Sequence, residues 1–460
     1  MLVPIVAGPI CKTMHKDDKP LRHRAVPSSR LSRLSGFGRL ATGIAGGMMA
    51  EGTRRLLSGE RPKLENLILT PGNAMRLADR LSHLRGAAMK LGQMISMDAG
   101  DILPPELATI MASLRDRANF MPPRQLRQVL TEEWGADWQS QFAEFQLQPI
   151  AAASIGQVHR AVTHDGRTLA IKVQYPGIRD SIDADVDNVA SLLKMSTMIP
   201  KQLDIAPLLA EAKAQLHEEA DYRREGQQMQ MYAARLADEE GFIVPELDEG
   251  LTRDRVLAMS FEPGVPIESL ETADQELRDD VARRVITLVS RELFEFGVMQ
   301  TDPNFANYRY QKNTDRIVLL DFGATRAVSP QIAASYRKLL SAALDDDADQ
   351  VLTASVEAGF VNQAAITRHR KSIDMMTEII LGEFRREGAF DFGDRAFVSV
   401  LRDEGMGIAA DRSSWHLPPA ETLFIQRKIS GTALLGARLK AKVDVRSILN
   451  DALGLDAEAA

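Results

Sequence analysis

The sequence predicts an α+β chain: a small β-rich lobe, a large helical lobe after it, and a helical block in front. Three observations carry that prediction. Apolar residues recur at three- and four-residue steps from Asn73 to about Arg117. Near Pro149 the texture changes to short strands separated by turn residues. Beyond Phe261 the helical pattern returns and runs to the end, interrupted by one hairpin over 306–321. With 460 residues, 45% of them hydrophobic and 26% charged, the chain has ordinary globular composition and room for two or three domains.

Taken in order, residues 1–30 are polar and proline-containing and read as a leader. Residues 31–58 alternate Arg, Leu, Gly and Ala, with Gly43 and Gly47 at GxxxG spacing. That pattern suits an interfacial helix or a glycine-rich surface helix equally well. The stripe Met75, Leu77, Leu81, Leu84, Ala88, Leu91 and Ile95 makes an amphipathic helix, which Pro104-Pro105 ends. Two strands follow, Ile150 to Arg160 and Thr168 to Gln174, turned by His164-Asp165-Gly166. One long helix is expected from about Pro207 to Leu236, then a strand from Arg255 to Phe261 ending at the turn Glu262-Pro263-Gly264. The expected domains are a leader over 1–60, a helical extension over 61–145, a small lobe over 146–260 and a helical lobe over 261–460.

Charge is unevenly spread. Residues 1–55 hold ten basic and three acidic residues, a balance of +7. The whole chain carries −7, so the remainder carries −14. An acidic body with a basic leader is not a nucleic-acid-binding profile; it suits a leader that meets an anionic surface. No stretch approaches the ~20 apolar residues of a spanning helix. The start does not read as a clean secretory signal, because its apolar residues precede the basic ones. The single cysteine, Cys11, excludes an internal disulfide and a cysteine-cluster zinc site. The run Asp345-Asp346-Asp347 reads as a solvated loop or helix start.

The hairpin carries the first chemical signal. Its two ends bring together Asn307 on one side and Asp321-Phe322-Gly323 on the other. An amide oxygen beside a carboxylate makes a hard-oxygen site suited to Mg²⁺. Asp302 lies five residues before Asn307. D-x-x-x-x-N and D-F-G are the kinase catalytic-loop and metal-binding patterns. The second signal is a phosphate loop with alanines in place of glycines. Ala151, Ala153 and Gly156 occupy the three glycine positions of G-x-G-x-x-G-x-V, with Ser154 inside the loop and Val158 closing it. Alanine stiffens such a loop. Fourteen residues on, Lys172 lies in a strand whose Leu169, Ile171 and Val173 face the opposite side. An inward lysine needs an acid, and Glu225 on the long helix is the expected partner. These parts together predict a bilobal, protein-kinase-like fold.

A further lysine stands out in the helical block, in Lys90-Leu91-Gly92-Gln93. Together with the alanine loop, Glu219-x-Asp221, Glu225, the segment Gln300 to Asn307 and Leu320 to Thr325, it resembles the UbiB family of atypical kinases over about residues 70–440. The branch linked to ubiquinone biosynthesis looks closest.

The resemblance implies a kinase-like fold with the helical extension lying over the active site. It implies that Lys90 reaches the cleft and pairs with Glu219, while Lys172 pairs with Glu225. It implies Mg²⁺ held by Asn307 and Asp321, ATP as nucleotide, and Asp302 as the residue that positions or deprotonates the attacking group. Met259 to Glu262 would be the hinge beside adenine, with Met259 and Phe261 against the base. The implied activity is ATP binding with slow hydrolysis, or phosphate transfer to a small or lipid acceptor, in support of quinone biosynthesis. A protein or small-molecule kinase and an ATP-regulated lipid-handling scaffold stay open as alternatives. Implied partners are membrane lipid or isoprenoid quinone intermediates and other quinone-biosynthesis proteins. A homodimer is compatible with the sequence, and the expected location is cytoplasmic, peripheral to a membrane. Two departures stand out. Asn304-Phe305-Ala306 replaces the common His-Pro-Gly, and Gly226 stands where alanine is usual.

Overall fold

The computed structural model describes residues 120–195, 206–386, 388–411 and 418–455. The leader and the helical block to residue 119, with Lys90 in it, lie outside the described residues.

Helix α1 (Pro123–Trp134) starts on a proline, which needs no N–H partner at that position. Its Leu126, Val129 and Leu130 are buried, an i, i+3, i+4 stripe laid on the sheet that follows. That sheet is assembled from β1 (Phe142–Phe145), β2 (Ala151–Ala152), β3 (Gly156–Thr163), β4 (Thr168–Gln174) and, after an intervening stretch that holds β5 (Phe242–Ile243), β6 (Val256–Ser260). The order is β1-β3-β4-β6, with β2 also on β3. Trp134, Trp138, Phe142 and Phe145 close the lobe with ring centroids 4.9–6.3 Å apart. Helix α1 and β1 precede residue 146, yet they share the small-lobe core. Gly166 takes φ +87° in the β3–β4 turn, a conformation glycine adopts without penalty.

Helix α2 (Ile182–Met195) follows the sheet. The expected helix over 207–236 is two helices, α3 (Ala206–Glu219) and α4 (Tyr222–Arg235). The break has a local cause. The Asp221 carboxylate accepts from the Arg224 backbone N at 3.1 Å and so starts a new helix. The Ala220 carbonyl leaves the helical ladder and accepts from the Gln174 amide at 2.9 Å. Glu225 therefore lies in a first turn, next to the sheet. Gly226, one step on, is closely packed: a Cβ there would stand 3.0 and 3.1 Å from the two Leu247 methyls, which would have to give by a few tenths of an ångström.

Strands β5 (Phe242–Ile243) and β6 (Val256–Ser260) lead to β7 (Val265–Pro266) and helix α5 (Gln275–Arg291), the centre of the large lobe. Helix α5 runs into a π-helical turn, Glu292–Phe296, which Gly297 ends at φ +62°. Then come β8 (Val298–Gln300), β9 (Tyr308–Gln311), β10 (Arg316–Leu319) and β11 (Thr325–Ala327). The expected hairpin is β9–β10, in register Tyr308↔Leu319. The sequence reading makes it the lobe's single interruption, and the structure differs. The hairpin sits inside a four-stranded sheet, β5-β10-β9-β7, while β8 pairs with β11. Strands of two or three residues carry too little periodicity to be read from sequence.

The remaining chain is α6 (Pro330–Leu344), α7 (Ala348–Glu357), α8 (Gln363–Arg368), α9 (Arg370–Arg385), β12 (Phe390–Asp391), α10 (Ala396–Ala410), α11 (Ala420–Leu439), β13 (Lys442–Val443) and α12 (Val445–Leu453). The acidic run is a helix start, with the Asp347 side chain capping α7. Helix α11 crosses behind the hairpin and touches two loops closely. A Cβ on Gly431 would lie 2.1 Å from Pro303 Cβ, and one on Gly436 would lie 2.9 Å from the Phe392 ring.

Candidate active site

Lys172 projects from β4 into the space between the lobes. Its strand is pinned on both sides, Val158↔Lys172 and Lys172↔Leu257. The ammonium lies 2.7 and 2.9 Å from the two Glu225 carboxylate oxygens and 3.6 Å from Asp321 Oδ2. It also stands 5.1 Å from the Tyr222 ring centroid. Burial alone would lower its pKa, but Asp321 and Glu225 outweigh burial and hold it well above the ordinary lysine value. Burial pushes the Glu225 carboxyl up, to about 7, with Lys172 opposing the rise and Asp321 adding to it. One cation thus ties a small-lobe strand, a helix and the Asp-Phe-Gly segment together.

The alanine loop folds as a tight turn, with Ala151 opposite Val158 and Ala153 N donating to Gly156 O at 2.9 Å. Ala151 and Ala152 are exposed, Ala153 and Ser154 half-buried, and Gly156 buried. Gly156 has no room for a side chain. A Cβ would meet the Val173 carbonyl oxygen at 2.5 Å and the Tyr222 hydroxyl at 2.8 Å. Ser154 Oγ donates to Glu219 Oε2 at 2.9 Å, which links the loop to the end of α3. The implied partner of Glu219, Lys90, lies outside the described residues.

Val158, Ala170, Met259, Phe261 and Leu319 share one apolar cluster that spans the two lobes. The Ala170↔Met259 register puts the methyl and the thioether side by side. Phe261 N donates to Thr168 O at 2.9 Å, and Glu262 accepts from Ser260 Oγ at 2.7 Å and from Gln311 Nε2 at 3.2 Å. The stretch Met259 to Glu262 therefore bridges the lobes.

On the other wall, the segment Asp302 to Asn307 is held by its own hydrogen bonds. Asn307 Nδ2 donates to the Asp302 carbonyl at 3.2 Å, and Asn307 N donates to Asn304 O at 3.0 Å. Leu320 N donates to Asn307 O at 3.0 Å, which puts Asn307 and Asp321 side by side at the hairpin mouth. Asp321 Oδ1 accepts from Gly323 N at 3.0 Å. With its Nδ2 engaged on Asp302, the Asn307 amide has its oxygen for a metal. Among the described residues no cluster of three or more His, Cys, Asp or Glu could hold a metal ion. A carboxylate and an amide oxygen fit Mg²⁺, which completes its shell with water and phosphate.

Phe322 is buried, 1% exposed, with its ring 5.1 Å from that of Tyr232. Arg224 grips the strand after it, donating to Gly323 O at 2.9 Å and to Thr325 O. Arg326 on β11 pairs with Glu211 and, at 3.0 Å, with Glu218 on α3.

Residues 113–355, more than half of the chain, match the ABC1 atypical kinase-like domain. The chain belongs to the UbiB family of atypical kinases. A rat relative, "Atypical kinase COQ8B, mitochondrial", is 40% identical over 94% of this chain and 81% of its own length. A relative from Saccharomyces cerevisiae, "Atypical kinase COQ8, mitochondrial", is 35% identical over 95% of this chain and 88% of its own. Among solved structures, that of Rv3197 from Mycobacterium tuberculosis with erythromycin superposes with a TM-score of 0.57 at 23% identity, covering 88% of this chain and 98% of that one. That likeness speaks to the fold alone. The fold is kinase-like and the chain is an enzyme of the atypical kinase class.

The sequence reading missed a buried polar group behind the site: Lys428, Glu292, Tyr308, Tyr232 and Gln300. A signal was present. Lys428 falls on the same helical face as Phe424, Ile425, Gly431, Thr432 and Leu435, all buried. A lysine inside an apolar stripe is the anomaly to look for.

Proposed function

We propose that this UbiB-family enzyme binds Mg-ATP in the cleft between its lobes and hydrolyses it, or passes the phosphate to a small or lipid acceptor, in support of ubiquinone biosynthesis at a membrane surface. The observation that carries the nucleotide reading is the meeting of Lys172 with both Glu225 and Asp321 in one cleft. Lysine from the strand, acid from the helix and carboxylate from the hairpin are the parts phosphoryl transfer uses.

In this reading Lys172 neutralises phosphate charge, and Glu225 holds the ammonium in place. Asn307 and Asp321 hold Mg²⁺, which when bound offsets charge on the phosphates. Asp302 positions the attacking group from the same wall. The turn at Ala151, Ala153, Ser154 and Gly156 covers the phosphates, and the cluster of Val158, Met259 and Phe261 takes the adenine. Catalysis rests on positioning and preorganised charge. The quinone pathway is supported by relatives named as mitochondrial COQ8 kinases. No helix among the described residues is long and apolar enough to cross a membrane, and the basic balance of residues 1–55 supports attachment to an anionic surface.

The test is calorimetric titration of the full chain with Mg-ATP, beside phosphate release with and without anionic vesicles. Wild type should bind and turn over; Asp321→Asn should lose Mg²⁺-dependent binding. Equal binding by both proteins would overturn the reading. Complementation of a strain lacking the quinone-biosynthesis kinase, with the same variant as control, tests the pathway.

A further inference from the structure

We propose that Lys428 of α11 is a positioning residue for the catalytic loop and its metal ligands, acting through Tyr308 and Gln300. The inference rests on the nucleotide and metal reading above. Lys428 and Glu292 are each 1% exposed. Lys428 Nζ donates to Tyr308 Oη at 2.8 Å and to Gln300 Oε1 at 3.2 Å, and lies 3.5 Å from Glu292 Oε2. Glu292 Oε1 accepts from Tyr232 Oη at 2.7 Å and from the Gln300 backbone N at 3.2 Å.

The positions of these partners decide what the network does. Gln300 lies two residues before Asp302, and Tyr308 directly follows Asn307. One ammonium therefore holds both ends of the segment from Asp302 to Asn307. Through Glu292 it also holds Tyr232, whose ring packs on Phe322 of the Asp-Phe-Gly segment. A narrow crevice lined by Lys428, Glu292, Asn307 and Asp321 joins the network to the site. One turn further along α11, Gly431 lets the helix sit directly on Pro303. The helix thus contacts the chain on both sides of the loop, at Gln300 and Tyr308, and within it at Pro303.

Stability does not require such a pair. Two buried charges are commonly replaced by apolar groups with no loss, whereas removing one partner strands the other. What an apolar pair cannot do is aim hydrogen bonds at two loop ends at once. Burial alone would lower the Lys428 pKa, but Glu292 and Tyr308 outweigh it, so the ammonium is charged at neutral pH.

The test separates positioning from packing. In the double variant Lys428→Met, Glu292→Gln the charge is gone, and the new amide oxygen still accepts from Gln300 N and Tyr232. Its melting temperature is expected within about 3 °C of wild type, because no lone buried charge remains. The readout is the Mg²⁺ midpoint of the ATP-induced thermal shift, which needs no turnover. That midpoint should rise at least tenfold, about 1.4 kcal/mol. A stable double variant with a midpoint within twofold of wild type would overturn the proposal. Should the double variant not fold, Tyr308→Phe removes only the hydroxyl that Lys428 holds. It should raise the midpoint at least threefold, and an unchanged midpoint overturns the proposal again. A wild-type chain with no Mg²⁺-dependent ATP shift would overturn the functional reading and this inference with it. A responsive wild type beside unaffected variants overturns the inference alone.

Discussion

Replacing Gly431 with alanine sets two effects of opposite sign against each other. Gly431 lies inside α11, where alanine is worth about 1 kcal/mol over glycine from helix propensity. Propensity alone therefore predicts a more stable protein. The structure predicts the reverse. The added methyl would stand 2.1 Å from Pro303 Cβ and 2.7 Å from its Cγ. Apolar carbons rest about 3.5–4.0 Å apart, so helix and loop must part by roughly 1.5 Å. Proline is stiff and cannot swing away as a lysine tip would. Forcing a methyl into a packed contact costs about 1–3 kcal/mol, so the net change runs from nothing to a loss of about 2 kcal/mol. The larger effect falls on chemistry. Asp302, the residue proposed to position the attacking group, adjoins Pro303, and a displacement of about 1 Å in such a group costs on the order of a hundredfold in rate. Chemical denaturation gives the stability, and phosphate release from ATP gives the rate. A variant about 1 kcal/mol more stable than wild type, with turnover within twofold, would refute the reasoning.

Other outcomes follow from the same geometry. Gly156→Ala should lower stability by about 1–3 kcal/mol and weaken ATP binding, because its methyl meets a backbone carbonyl that cannot rotate away; a melt equal to wild type would contradict this. Ala151→Gly, at an exposed position of the same loop, should leave the melt nearly unchanged. Lys172→Met should weaken ATP binding at least tenfold by calorimetry, about 1.4 kcal/mol. It should cost little stability, since Glu225, already raised to about 7, takes up a proton once its ammonium is gone. His159 supplies a pH test. Its Nδ1 faces the Gln146 carbonyl at 2.8 Å and its Nε2 faces the Gln157 amide at 2.9 Å, which suits the neutral ring protonated on Nδ1. Burial lowers its pKa from 6.5 to about 4. Its stabilising contribution is therefore fully present above pH 6.5 and lost as pH falls through 4, about 3 kcal/mol in all. His159→Gln should flatten that part of the stability profile; an unchanged slope would rule the assignment out.

How much of this was legible in advance depends on how local the signal is. The β3–β4 hairpin, the β9–β10 hairpin and the strand carrying Lys172 were readable because alternation and turn residues lie within ten residues of each other. The Lys172–Glu225 meeting was readable because an inward lysine must find an acid, and the resemblance pointed to Glu225 on the helix expected after the sheet. The break between α3 and α4 was not, since Ala220-Asp221 looks like two ordinary helical residues until Gln174 takes a carbonyl from the ladder. Nor was Lys428, because its partners are 120 to 136 residues away and only the fold assembles them. Lys90 and the leader fall outside the described residues; the role of Lys90 rests on the resemblance and that of the leader on its basic charge.

The exposed methyl of Ala151 has a consequence for chemical probes. Compounds that enter kinases by displacing the Asp-Phe-Gly phenylalanine would have to break the Tyr232 packing and the Arg224 hydrogen bonds at once. Selectivity is better sought at the front of the cleft. A rigid, flat-faced ligand laid on the Ala151 methyl, which shares a sheet face with Val158 and Lys172, gains dispersion contacts that a glycine at that position has no atoms to offer. Such a compound would discriminate between alanine-loop and glycine-loop enzymes by shape, even where both bind the same nucleotide.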